Sequence, residues 1–178
     1  MTTGRLGSIE LIKRGVLAGA AGGLAEIVWV SFYATISGGN AANLARGVTV
    51  AAGVSAMLPA APVTMGIAVH MALAMLLGIA LAFLWQALAR RAVGVNSLTA
   101  VVLAALVAVW AVNFFVILPA ISPPFIALIP YPVSLISKLL FGLAAGVTLR
   151  RGAAAEIVGL PPAVRVRAAS GRKRHPSR

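Results

Sequence analysis

Residues 63–89 read VTMGIAVHMALAMLLGIALAFLWQALA, and this stretch decides the fold. A bilayer core of about 30 Å takes about 20 apolar residues at roughly 1.5 Å of helix each. The stretch is long enough to span and is apolar on nearly every face. A helix of a soluble protein would instead show a polar face at a 3.6-residue period. Pro62 stands just before it, where a first helical turn accepts proline without losing a needed N–H.

Working outward, three further stretches meet the same test, at about 15–36, 98–118 and 132–149. Asn96 or Ser97 is placed to cap the third. The first is too long for a signal peptide, carries Glu26 and has no small-x-small cleavage site, so it is expected to stay in the mature protein. With 61% apolar residues, three acids and no cysteine in 178 residues, the chain is too apolar for an ordinary soluble domain and has no disulfide or thiolate chemistry. The expected architecture is all-α, a membrane bundle of four transmembrane helices over residues 1–151.

Two loops carry their own signals. Residues 40–58 keep apolar positions at Leu44, Val48, Ala51, Ala52 and Met57, with Asn40 as a cap and Pro59 as a stop. They predict a short helix lying on the membrane surface or dipping partly into it. Residues 122–131 are apolar but broken by Pro123, Pro124 and Pro130, so they are not helical throughout. Phe125 and Tyr131 there suit an aromatic belt at the interface. Residues 152–178 end in Arg172-Lys173-Arg174 and hold too little apolar content for a core. They read as a basic, disordered cytoplasmic tail.

The charges set the threading. Of 15 Lys and Arg residues, only Lys138 falls inside a span and only Arg46 falls on the side opposite the rest. Positive charge stays on the cytoplasmic side, which predicts a multi-pass inner membrane protein of bacterial type with both termini in the cytoplasm. The loops 37–62 and 122–131 then face outward. The net charge of +12 would suggest nucleic acid in a soluble protein. Here it sits at helix ends and in the tail, so Arg14, Arg90, Arg91, Arg150 and Arg151 are expected to meet anionic lipid headgroups. Other membrane subunits, or further copies of the chain, are the remaining candidate partners.

One strongly polar side chain interrupts each span: Glu26, His70, Asn113 and Lys138. Counting helical rise from the span ends places all four roughly 8–12 Å below the outer face. Facing is given by small residues. Gly15, Gly19 and Gly23 lead to Glu26; Gly66, His70 and Gly78 share a stripe; Lys138, Gly142 and Gly146 lie four apart. Such stripes mark faces where membrane helices approach closely. Asn113 has no stripe. A charge left facing lipid is costly, by roughly 2.5–3.5 kcal/mol on insertion scales. A buried Glu26–Lys138 pair is therefore expected, with His70 and Asn113 beside it and Ser31, Tyr33, Thr64, Ser134 and Ser137 as further hydroxyls.

The sequence contains no HExxH, GxSxG, P-loop or GxGxxG motif, and no Asp at all, which argues against the familiar enzyme classes. One Glu and one His make a thin metal site, and His175 is the only other histidine, so no metal or cofactor is implied. Two readings remain. The first is a non-enzymatic accessory, assembly or scaffold subunit in which the polar layer clamps the helices. The second is a small transporter or sensor that binds a proton, an ion or a small polar ligand at that layer.

Overall fold

A computed structural model describes residues 7–91 and 94–159. It is helical over 85% of its length, with no strand among the described residues. The elements are α1 (Ser8–Ile36), α2 (Ala41–Ala51), α3 (Pro62–Arg90), α4 (Val95–Val112), α5 (Leu118–Ile121), α6 (Pro123–Ile126) and α7 (Tyr131–Gly159). A π-helical turn at Asn113–Ile117 joins α4 to α5, so the two form one continuous rod. Four helices are long and apolar enough to cross a membrane: α1, α3, the α4–α5 rod and α7 as far as Gly152. Their outward surfaces are apolar, with Leu17, Val28, Leu73, Leu76 and Val116 all exposed. In water so much exposed apolar surface would be a liability, whereas lipid favours it.

Several boundaries differ from expectation. α1 starts at Ser8, well before Gly15, so Lys13 and Arg14 belong to the helix. α4 starts at Val95 with Gly94 in the N-cap position, ahead of both Asn96 and Ser97. The helix expected over 40–58 ends at Ala51. Asn40 does cap it, its Oδ1 accepting from the Ala42 N–H at 2.8 Å. The stop, however, is Gly53 rather than Pro59. At φ +69° Gly53 occupies the left-handed region, and Gly53 N–H and Val54 N–H bond back to Val50 O and Thr49 O. Gly38 (φ +71°) closes α1 in the same way, with Gly38 N–H bonding back to Thr35 O and Gly39 N–H to Ala34 O. Only glycine takes this conformation at no steric cost. At the far end, α7 continues through Gly152 to Gly159, so the segment after Arg151 begins as helix rather than as disordered tail. Arg5 and the basic residues Arg172 to Arg174 lie outside the described residues.

The packing order makes α1 the central helix. It runs against α3 on one side and α7 on the other, α4 packs on α7, and α3 and α4 touch only lightly. α2 lies on α3. Two apolar cores result. The first joins Leu11, Ala18, Ala74, Leu81, Val102, Leu106, Phe141, Ala145 and Leu149. The second joins Phe114, Leu118, Ile129 and Val133 with Trp29, Val30, Leu44, Trp110 and Phe125. Along α1 and α7 the strongly polar residues Glu26 and Lys138 fall between the two.

Candidate polar ligand site

Glycine brings the helices together at this level. A Cβ on Gly78 of α3 would strike the α1 backbone at Gly15 O and Gly19 N, and one on Gly19 would strike the backbone of Ala74 and Met75. Gly23 sits against the Ala74 methyl, and Gly22 faces the Phe141 ring of α7. α1 is thereby drawn against both neighbours just inside Glu26. His70 reaches the carboxylate from one side and Lys138 from the other.

Lys138 Nζ lies 2.7 Å from Glu26 Oε1, and Ser137 Oγ donates to the same oxygen at 3.2 Å. His70 Nε2 is 3.7 Å from Glu26 Oε2 and 3.4 Å from Gly23 O. Glu26 is 4% exposed, while the His70 and Lys138 side chains keep 28% and 21% of their surface open. The Lys138 ammonium also stands over the Phe141 ring, 5.4 Å from its centre. Among the described residues no buried side-chain N or O lacks a partner. A buried charge is tolerable only when paired and hydrogen-bonded, and these contacts meet that condition.

Asn113 stands apart from this network. Its side chain lines the same cavity but hydrogen-bonds no other described residue. Its setting is the π turn, where Leu118 N–H bonds to Asn113 O. Pro119 explains the widening, because it has no N–H and its ring would clash with the carbonyl of Phe115 in a regular helix. Of the further hydroxyls, Ser31, Ser134 and Ser137 line the cavity; Tyr33 packs in the outer core, and Thr64 does not line the cavity.

The cavity holds about 360 Å³. Glu26, His70, Ser137 and Lys138 form its polar floor. Ile27 and Val30 of α1 and Phe114 form apolar walls, and α2 with Phe125 and Ile129 closes the roof. Phe125, half-buried, packs beneath α2. Gly47 of α2 permits this, since a Cβ there would meet Leu128 and the Phe125 ring. Gly66 similarly lets α2 approach α3, facing the backbone of Ala45.

The remaining expected residues divide. Gly142 packs against Leu103 and Leu106, but a Cβ on Gly146 would meet nothing within 4 Å, so Gly146 makes no close approach. Arg90 and Arg91 are exposed at the end of α3, and Arg150 and Arg151 are exposed along α7, which continues to Gly159. The Arg14 side chain is 17% exposed, lies 3.4 Å from Glu10 Oε1 and packs beside Gly152. Helical spacing explains the pair, because Glu10 and Arg14 are four apart in a helix that extends back to Ser8.

Sequence reasoning missed two tethers above the layer. Trp29 Nε1 donates to Val133 O at 3.0 Å, joining α1 to α7. Trp110 Nε1 donates to Ser134 Oγ at 3.0 Å, and that hydroxyl donates to Tyr131 O. Indole N–H groups need a partner when buried, and that need was the available signal. Among the described residues no three His or Glu side chains converge as a metal site would require. Comparison with known proteins finds no matching family model, no matching curated protein and no matching solved structure.

Proposed function

We propose that this chain is a non-enzymatic integral protein of a bacterial-type inner membrane, with both termini cytoplasmic, that binds a small ligand at the Glu26–His70–Lys138 layer. The observation that carries this reading is the cavity of about 360 Å³ whose floor is that layer. Ligand pockets are mostly apolar, roughly 300–1,000 Å³, and hold a few convergent polar groups. A layer serving only as a clamp needs no such space. α2 and the segment 122–130 form the outer cover of the site and sit at the external interface, and Arg90, Arg91, Arg150 and Arg151 face anionic headgroups.

The competing reading is an accessory or scaffold subunit with the layer as its internal clamp. The close, three-way contact at Glu26 supports it, since such a network fixes helix pairing by itself. Accessibility separates the two. The chain has no cysteine, so Ser31→Cys places a unique thiol on the cavity wall. In a ligand site, a small maleimide added to intact membranes labels it at a rate within about tenfold of an exposed Ser37→Cys control. Complete protection of Ser31→Cys would leave the clamp as the function.

A further inference from the structure

The cavity has a back, a floor and a roof, and one side where little closes it. α1 and α7 form the back, the Glu26 layer the floor, and α2 with Phe125 and Ile129 the roof. The remaining side lies between the outer halves of α3 and α4. These two helices are linked by the short segment 91–94 at their other ends. There Leu81 and Ala82 of α3 share a core with Val102 and Leu106 of α4. Further out they make few contacts. His70 and Ile67 on α3, and Asn113 and Phe114 in the π turn that follows α4, instead border the cavity. Ile67 is 42% exposed, as a rim residue should be.

Charge narrows the occupant. Glu26 and Lys138 satisfy one another at 2.7 Å, so neither is left to attract a charged group. A charged ligand would bring an uncompensated charge between apolar walls, at a steep desolvation cost. The Asn113 amide and the Ser31 hydroxyl line the cavity without hydrogen-bonding any other described residue. Together they offer both donors and acceptors. Resting on the ligand-binding reading above, we propose that the site takes an uncharged amphiphile. Its head both donates and accepts hydrogen bonds, its body is apolar, and it enters sideways from the bilayer between the outer halves of α3 and α4.

The test uses the full chain in lipid nanodiscs and three photoactivatable probes with the same medium-length alkyl chain: a monoacylglycerol, a fatty acid and an alkylamine. Crosslinks are mapped by mass spectrometry. The monoacylglycerol is expected to label peptides lining the cavity at least about tenfold more than either charged probe. Ile67→Trp, at an exposed rim position, should lower that labelling about tenfold, while Leu73→Trp, on the exposed surface of α3 away from the cavity, preserves it. Equal or stronger labelling by a charged probe would overturn the uncharged class and leave ligand binding standing. Undiminished labelling of Ile67→Trp would overturn the lateral entry alone. Cavity labelling by none of the three would overturn the amphiphile, and the Ser31→Cys accessibility would then decide the ligand-binding reading by itself.

Discussion

Glu26 Oε1 and Lys138 Nζ are 2.7 Å apart across the α1–α7 contact, yet the two side chains differ sharply in exposure, at 5% and 21%. That asymmetry makes the two single substitutions unequal. Lys138→Met strands a nearly enclosed carboxylate and is expected to cost about 3–5 kcal/mol of stability. Glu26→Gln leaves an ammonium with some access to water, and its amide still accepts a hydrogen bond, so about 1–3 kcal/mol is expected. The double variant removes both charges and should recover part of the loss. Denaturant titration in detergent measures all three. Costs that simply add would show the pair is not energetically coupled.

A second contrast concerns two glycines that sequence spacing makes equivalent. Gly78→Ala puts a Cβ into the α1 backbone at Gly15 and Gly19, which cannot yield as a flexible side chain would. Overpacking of this kind costs about 1–3 kcal/mol. Gly146→Ala meets nothing within 4 Å and gains helix propensity, up to about 1 kcal/mol. Thermal unfolding should therefore fall for the first and stay level or rise for the second. Equal losses would show that both glycines serve close packing.

How much was legible in the sequence follows from which forces act along the chain and which act between helices. Span length and apolarity are local properties, so α3 was readable nearly to its ends, Pro62–Arg90 against an expected 63–89. The levels of Glu26, His70 and Lys138 followed from helical rise alone, because rise is the same in every helix. Facing was legible only where glycine marked it, and there the inference depended on a partner actually being present. Gly78 has one and Gly146 does not. The cavity was not legible. It comes from the way α2 and Phe125 roof the gap between α3 and α4, and such a relation between distant segments leaves no periodic trace. The end of α2 at Gly53 was readable in principle, since Ala52-Gly53 carries a helix-stop signal, but Pro59 looked like the stronger stop.

Thr49 of α2 is the latch that holds the cover. It is 1% exposed, and its Oγ1 donates to Pro62 O at 2.6 Å, at the start of α3. Thr49→Val keeps the shape but removes that hydrogen bond, a loss of about 1 kcal/mol. Arg46, exposed on α2 and bonded to Asn43 Oδ1, reports the release. Trypsin added outside right-side-out vesicles should cut at Arg46 several-fold faster in Thr49→Val than in the parent chain, as local opening becomes easier. An unchanged rate would mean that α2 is held by its packing on Gly66 rather than by this bond.

Trp110 ties the α4–α5 rod to α7 in two separable ways. Its indole N–H donates to Ser134 Oγ, and its ring stacks on Phe114, with centres 5.7 Å apart and planes 29° from parallel. Phe115 and Tyr131 add edge-on contacts to the same ring. Trp110→Phe keeps most of the ring contact and gives up the hydrogen bond, so about 1 kcal/mol should be lost. Trp110→Ala also removes the ring and should cost about 3–5 kcal/mol. Chemical denaturation of the two variants resolves the difference. If Trp110→Phe proved as damaging as Trp110→Ala, the Ser134 bond rather than the aromatic stack would be the main tie between α4 and α7.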